Sequence, residues 1–363
     1  MRTRIRTTAA IAALTLTAAA CGGDSGADAP QAATCVAGQV DGDLRLYNWN
    51  DYMDPDLIAD FEAEFGVSVI EDFYPSNEEM LARVVAGGAQ YDVVVPSDYM
   101  IELMIEDGLL LPLTREAVPN IANVESEFAD PPYDPGLGHS VPFLWGTTGL
   151  GVNVELLGDV EPSWDLVFDP EMAGNLPGRV LLLDDARETM GAALHWLGLD
   201  PNTSDEDDLQ AASDAIAAAR AWTAAFNSDL YTDLLMSGEV VVAHGYSGNF
   251  LEAFDEDESF AYLVPKEGAT LWTDNLAILA GAPQPCTAHT FLDFVLRPEQ
   301  HARLTNYIYY PSPNALSDEF IDPEILDDPA VYPDGETLSR LHFLRDTGDA
   351  EVRYTDLFTQ ARS

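Results

Sequence analysis

Cationic side chains are scarce in this 363-residue chain: 16 Lys and Arg stand against 63 Asp and Glu, and Lys266 is the single lysine. The resulting formal charge of −47 repels phosphate backbones and anionic headgroups, which excludes nucleic-acid binding. Cysteine is nearly absent as well. Three Cys show no Cys-x-x-Cys spacing, and His139, His195, His244, His289, His301 and His342 form no paired metal-binding motif, so no metal, redox centre or other cofactor is expected. Nor is there a complete nucleotide fingerprint: Gly149-Leu150-Gly151 lacks the third glycine. Gly245-Tyr246-Ser247-Gly248-Asn249 lacks the last glycine of a nucleophile elbow, and no catalytic residue is assigned. Apolar material is plentiful, at 47% hydrophobic and 10% aromatic, enough for two domains and incompatible with a disordered chain.

The N-terminus reads as a secretory leader over residues 1–20: Arg2, Arg4 and Arg6 precede a small-to-apolar run from Ala9 to Ala20 that carries no acid. Ala18-Ala19-Ala20-Cys21-Gly22-Gly23 resembles a bacterial lipoprotein box, which implies cleavage before Cys21 and lipidation of its thiol. An ordinary cleavage site beside an incidental Cys is the alternative. Beyond the leader no run of eighteen apolar residues occurs, so the expectation is a secreted protein, periplasmic or lipid-anchored at the outer leaflet, touching the membrane through its anchor only. Loss of the leader leaves 13 basic against 63 acidic residues, a formal −50, so the acidity belongs to the folded part. Cys35 and Cys286 are then the remaining thiols, free or paired to each other in an oxidising exterior.

Residues 21–42 read as a flexible linker on the lipid anchor. From Leu44 to Trp49 the alternation predicts a strand, and Asp54-Pro55 opens a helix carrying Leu57, Ile58, Phe61 and Phe65 that Gly66 ends. A strand over Val67–Phe73 follows, then a helix behind the capping box Ser76-Asn77-Glu78-Glu79, then a buried strand over Tyr91–Ser97. This βαβαβ order predicts a parallel sheet. A second α/β region, with its own sheet, is expected from a strand over Gly178–Asp184, helices over 185–198 and 206–226, and a strand over Val240–His244. Asp205–Asp208 and Asp255–Glu258 read as solvated loop or helix-end charges. Pro142–Gly151 and Thr270–Leu276 are candidate crossings between the regions. The predicted fold is therefore α/β and two-lobed, with two chain crossings and a hinge beneath a central cleft: 43–144 plus 275–315 as lobe one, 145–274 plus 316–363 as lobe two.

Aromatics beside acids stand at predicted strand ends and turns: Trp49-Asn50-Asp51-Tyr52, Ser97-Asp98-Tyr99 and Trp272-Thr273-Asp274. Ligands bind at such places in α/β folds. Aromatic faces attract ammonium groups and cover methylene chains, and carboxylates supply the acceptors and countercharge that a desolvated ammonium requires. A neutral sugar would gain nothing from several unpaired buried acids. The pattern therefore favours an elongated cation. The bland reading is core packing plus solvated acids, and for Asp185 and Glu188 it is the acid preference of a helix first turn.

Leu46–Tyr52, Ser76–Met80, Tyr91–Ser97, Pro142–Gly146, Leu183–Glu188, Gly238–Val240, Trp272–Asp274 and Tyr310–Asn314 resemble, in order, blocks of the periplasmic spermidine/putrescine-binding proteins. The resemblance implies a monomeric receptor that closes on a polyamine and delivers it to the permease subunits of an ABC importer. It further implies that Trp49, Tyr52, Tyr99, Trp272 and Tyr310 flank the aliphatic chain, with Tyr246 where the family usually has Trp. By the same token Asp185, Glu188 and Asp274 contact amines, Asp51 lies near one terminal amine, and Ser97 gives a polar contact. Arg187 is expected to orient the neighbouring acids. Asn50 replaces a small hydroxyl residue in the binding set, and Leu344 falls where diamine binders are apolar while Trp272 follows the spermidine pattern. Two rivals remain: an extracellular hydrolase using Asp185 and Glu188 as acid and base, and a polyamine sensor or adaptor without a transporter.

Overall fold

The computed structural model describes residues 30–87, 90–176, 179–254 and 257–363. The leader and Cys21 lie outside the described residues, as do Gly178, Asp255 and Glu256 of the segments named above.

The N-terminal βαβα order forms where its local signals stand. β1 (Leu44–Trp49) leads to α1 (Pro55–Phe65), where the Asp54 carboxylate accepts from the Asp56 N–H at 2.9 Å and the last turn closes on Gly66 at φ 69°. β2 (Val69–Tyr74) pairs parallel to β1, and Ser76 caps α2 (Asn77–Val85) by accepting from the Glu79 N–H. The third strand is shorter than expected: β3 is Val93–Val94 alone, parallel to β1, and α3 (Asp98–Glu106) follows it. The cause is local. Pro96 has no N–H to give a ladder, and the Val95 carbonyl accepts from Trp49 Nε1 at 2.8 Å and Tyr74 OH at 2.6 Å instead.

The two expected sheets are one. β4 (Ser140–Asn153) and β9 (Ala269–Ile278) run antiparallel from Ser140↔Ala277 to Thr148↔Thr270, with a register shift between Pro142 and Leu144. They join β2-β1-β3 on one side to β7 (Val242–Tyr246), β5 (Val180–Leu182) and β6 (Thr223–Phe226) on the other. β8 (Phe260–Leu263) pairs with β4 and β10 (Leu341–Phe343) with β9, making ten strands. Both predicted crossings thus lie on long strands rather than in loops. The helix expected over 206–226 spans Glu206–Ala219 only, because Thr223–Phe226 turns into β6 beside β5.

Two separate apolar cores flank this shared ribbon. One gathers Leu46, Phe61, Phe143, Phe291 and Leu304; the other gathers Val152, Trp164, Leu194, Ile216 and Phe358. Within residues 316–332, Ile321, Ile325 and Val331 form a small cluster with Ala302 of the Pro298–Ile308 helix, against which Leu251 also packs. Asn306 fixes the same segment through the Phe320 carbonyl and the Asp322 N–H. The Glu351–Arg362 helix joins the second core.

The described part of the expected linker is fastened down. Cys35 and Cys286 form a disulfide with Cα atoms 5.3 Å apart, the Asp41 carboxylate accepts from the N–H groups of Cys286 and Thr287, and Thr290 donates to the Gln39 carbonyl.

Candidate functional site

The first half presents its site residues from the ends of parallel strands. Trp49 closes β1, Asn50 and Asp51 form the exposed turn after it with Asp51 at φ 50°, and Tyr52 turns inward and is buried. At the end of the β3 segment Asn77 Nδ2 donates to Ser97 Oγ at 3.1 Å, and Ser97 Oγ donates to Asp274 Oδ1 at 2.7 Å. Tyr99, the second residue of α3, donates to Glu78 at 3.0 Å.

The second half answers with a helix start. Asp185 caps the Ala186–Leu197 helix by accepting from the Glu188 N–H at 3.0 Å, so the bland helix-end reading holds for its backbone role. Both acids nevertheless line the same cavity as Trp49, Ser97 and Asp274, about 130 Å³ in volume. One oxygen of Glu188, Oε2, is buried without a hydrogen-bond partner.

Rings wall the cavity. Trp272 meets Tyr310 edge-on at 5.1 Å and Tyr246 at 6.1 Å, Tyr52 meets Tyr310 at 5.5 Å, and Tyr74 leans on Trp49 at 4.6 Å. Tyr310 and Tyr231 both donate to Asn249 Oδ1, at 2.7 and 2.9 Å, which locks the far wall. All twelve residues proposed from sequence, Trp49, Asn50, Asp51, Tyr52, Ser97, Tyr99, Asp185, Glu188, Tyr246, Trp272, Asp274 and Tyr310, border this one cavity, and so does Leu344.

Burial dominates the site's electrostatics. It pushes Asp274 up to about 7 and Glu188 up to about 8, with the adjacent Asp185 adding to the rise at Glu188. Asp185 is raised by the same loss of water. Asp274 and Glu188 therefore retain protons near neutrality, and a cation sharing the cavity would release them.

Arg187 borders the cavity as well. Its guanidinium pairs with Glu351, donates to the Arg345 carbonyl at 3.1 Å and lies over the Tyr354 ring at 4.5 Å, and its charge partly offsets the rise at Asp185. It ties the C-terminal segment to the site. Sequence reading also passed over Tyr74, Asn77, Asp98, Tyr231 and Asn249, which border the cavity too. Asp98 stood in the quoted Ser97-Asp98-Tyr99 triplet, Asn77 in the capping box and Asn249 in the Gly245–Asn249 run; Tyr74 and Tyr231 carried no local signal.

Two α/β halves joined by a paired-strand ribbon, with a charged, ring-walled cleft fed from both, define a two-lobed solute-binding receptor. The chain belongs to the family of bacterial extracellular solute-binding proteins, whose sequence profile matches residues 56–333. It is 36% identical to the putrescine/cadaverine-binding protein of Pseudomonas aeruginosa over 319 residues, covering 85% of this chain and 90% of that one. It is 35% identical over 326 residues to the spermidine/putrescine-binding periplasmic protein of Escherichia coli, covering 88% and 91%. The solved structure of the spermidine/putrescine ABC transporter substrate-binding protein PotD from Streptococcus pneumoniae superposes with a TM-score of 0.73 at 32% identity, covering 88% of this chain and 98% of that one. The family is one of binding proteins, so the acid–base reading of Asp185 and Glu188 has no support there. Among the described residues no helix is long and apolar enough to cross a membrane, and no group of His, Cys, Asp and Glu is arranged to hold a metal.

Proposed function

We propose that the protein is an extracytoplasmic polyamine receptor that hands its ligand to an ABC importer. The observation that carries this reading is the meeting of Asp185, Glu188 and Asp274 with the Trp49–Tyr52 turn around one ring-lined cavity. Buried acids without countercharge are costly, and a slender cation with a methylene chain supplies both the charge and the apolar surface the cavity lacks. The polyamine-binding names of the relatives agree with that chemistry.

In this reading Trp49, Tyr52, Tyr99, Tyr246, Trp272 and Tyr310 cover the aliphatic chain. Asp274 and Asp51 take one terminal ammonium and Asp185 with Glu188 the other, while Asn50 and Ser97 add polar contacts. The ligand bridges acids of both lobes and so favours the closed arrangement, which is the form that docks on the permease. Lobe one comprises 43–144 and 275–315, and lobe two 145–274 and 316–363. The receptor works as a monomer, held at the membrane by lipid on Cys21.

The test is a thermal-shift panel of putrescine, cadaverine, spermidine, spermine, agmatine and uncharged diols, read beside product analysis of the same mixtures. Polyamines that raise the melting temperature without being consumed support the receptor. Turnover, or equal shifts with the diols, overturns it.

A further inference from the structure

Between the two acid groups of the cleft stands a fifth carboxylate. Asp98 borders the cavity from the first residue of α3 and is 2% exposed. Its two oxygens are oriented by backbone alone: Oδ1 accepts from the Tyr99 N–H at 2.8 Å and Oδ2 from the Thr273 N–H at 3.4 Å. No cation neutralises it by contact. Arg187 faces it and attracts it at range, but that guanidinium is engaged by Glu351, the Arg345 carbonyl and Asn202.

Its neighbours give its position. Asp98 Oδ2 accepts from the N–H of Thr273, the residue before Asp274 on β9, while Arg187, the residue before Glu188 on the Ala186–Leu197 helix, lies over the ring of Tyr99, the residue after Asp98, at 5.5 Å; Asp98 also interacts electrostatically with Asp274, Glu188 and Tyr133. Asp98 is thus the acid in the interval between the Asp274 end and the Glu188 end. A diamine has ammonium groups only at its tips and leaves that interval to methylenes. On the same cavity wall Glu188 Oε2 has no hydrogen-bond partner among the described residues.

Building on the polyamine reading, we infer that Asp98 recognises the internal ammonium of a triamine, so that the cleft selects spermidine-class ligands over diamines. Burial holds Asp98 up at about 8 in the empty cleft, with Asp274 adding to the rise. An internal ammonium placed beside it displaces that proton, whereas a diamine leaves the proton in place.

Calorimetric titration of the full folded chain with spermidine and with putrescine near pH 7, in two buffers of different ionisation heat, tests this. Spermidine binding releases more protons than putrescine binding in the unmodified protein. Asp98→Asn weakens spermidine about ten- to hundredfold, the loss expected for a charge-assisted contact, and putrescine by less than about threefold. Asp98→Thr, which keeps an oxygen for the Tyr99 N–H, gives the same selective loss should the amide disturb folding. Equal proton release for both amines, or equal or no weakening in the variants, overturns the role of Asp98. If the unmodified protein binds neither amine, the receptor reading itself fails, and with it the triamine preference.

Discussion

Ser97 and Asp274, 177 residues apart in sequence, are joined by a 2.7 Å hydrogen bond in which the serine hydroxyl donates to the carboxylate. The bond holds one oxygen of Asp274 and leaves its charge for a ligand. Asp274→Asn keeps the shape and removes the charge, and polyamine affinity falls by about 2 to 5 kcal/mol, the scale for breaking a desolvated charge pair. Isothermal calorimetry reads the loss; an unchanged dissociation constant removes Asp274 from the site.

Stability of the ligand-free protein falls as pH rises through neutrality. Asp98 and Glu188 at about 8 and Asp274 at about 7 keep protons in the folded state that ordinary carboxyls, near 4, have released in the unfolded chain. Their contribution is complete below about pH 4 and is lost as pH climbs through about 7 to 8. Buried His195, His244 and His301, lowered by burial to about 4, 3 and 4, act in the opposite sense, losing stability as pH drops below about 6.5. Between about pH 6.5 and 8.5 the acids alone set the slope. The melting temperature therefore decreases over that interval, and the rise produced by a saturating polyamine grows. A flat profile in scanning calorimetry refutes the protonation of these acids.

Gly146 lets two walls of the site approach. A Cβ there would stand 2.6 Å from Trp272 Cζ2 and 3.0 Å from Tyr310 Cδ1. Gly146→Ala drives the indole off its place, costing about 1 to 3 kcal/mol of stability and a similar share of ligand affinity without touching any charge. Urea unfolding and ligand titration of the same variant measure the two losses; retention of both shows that Trp272 moves freely.

Arg187→Met separates structural from binding roles. Removing the buried guanidinium strands Glu351 and unbinds the Arg345 carbonyl, and lowers unfolding free energy by about 3 kcal/mol. Because Arg187 attracts Asp98 and Asp185 only at range, the spermidine-to-putrescine ratio shifts less than in Asp98→Asn. A shift as large as in that variant contradicts this.

Replacing both Cys35 and Cys286 by Ser costs about 2 to 4 kcal/mol of stability and leaves ligand affinity unaltered, since neither residue borders the cleft. Chemical denaturation beside calorimetry distinguishes the two effects.

The elements from Leu44 to Val85 were legible because each start and stop has a local cause: Asp54 with Pro55, Gly66, Ser76 with Glu79. The single sheet was not, because the pairing of Ser140–Thr148 with Thr270–Ala277 joins segments over a hundred residues apart and leaves no periodic trace in either. β6 was hidden by an alanine-rich run that continues the helical pattern past Ala219. Aromatic-acid pairs at strand ends led to the cleft. The partners of Arg187 were invisible, since Glu351 and Arg345 arrive from the far end of the chain.

The ribbon of β4 and β9 also limits how the two halves can move. Eight paired positions tie the strands together across the junction, so a change of angle cannot be taken up at a loose joint. It has to flex a hydrogen-bonded band, most readily at the irregular step between Pro142 and Leu144. Such a band acts as a leaf spring: its hydrogen-bonded width resists sideways shear and keeps the jaws in line.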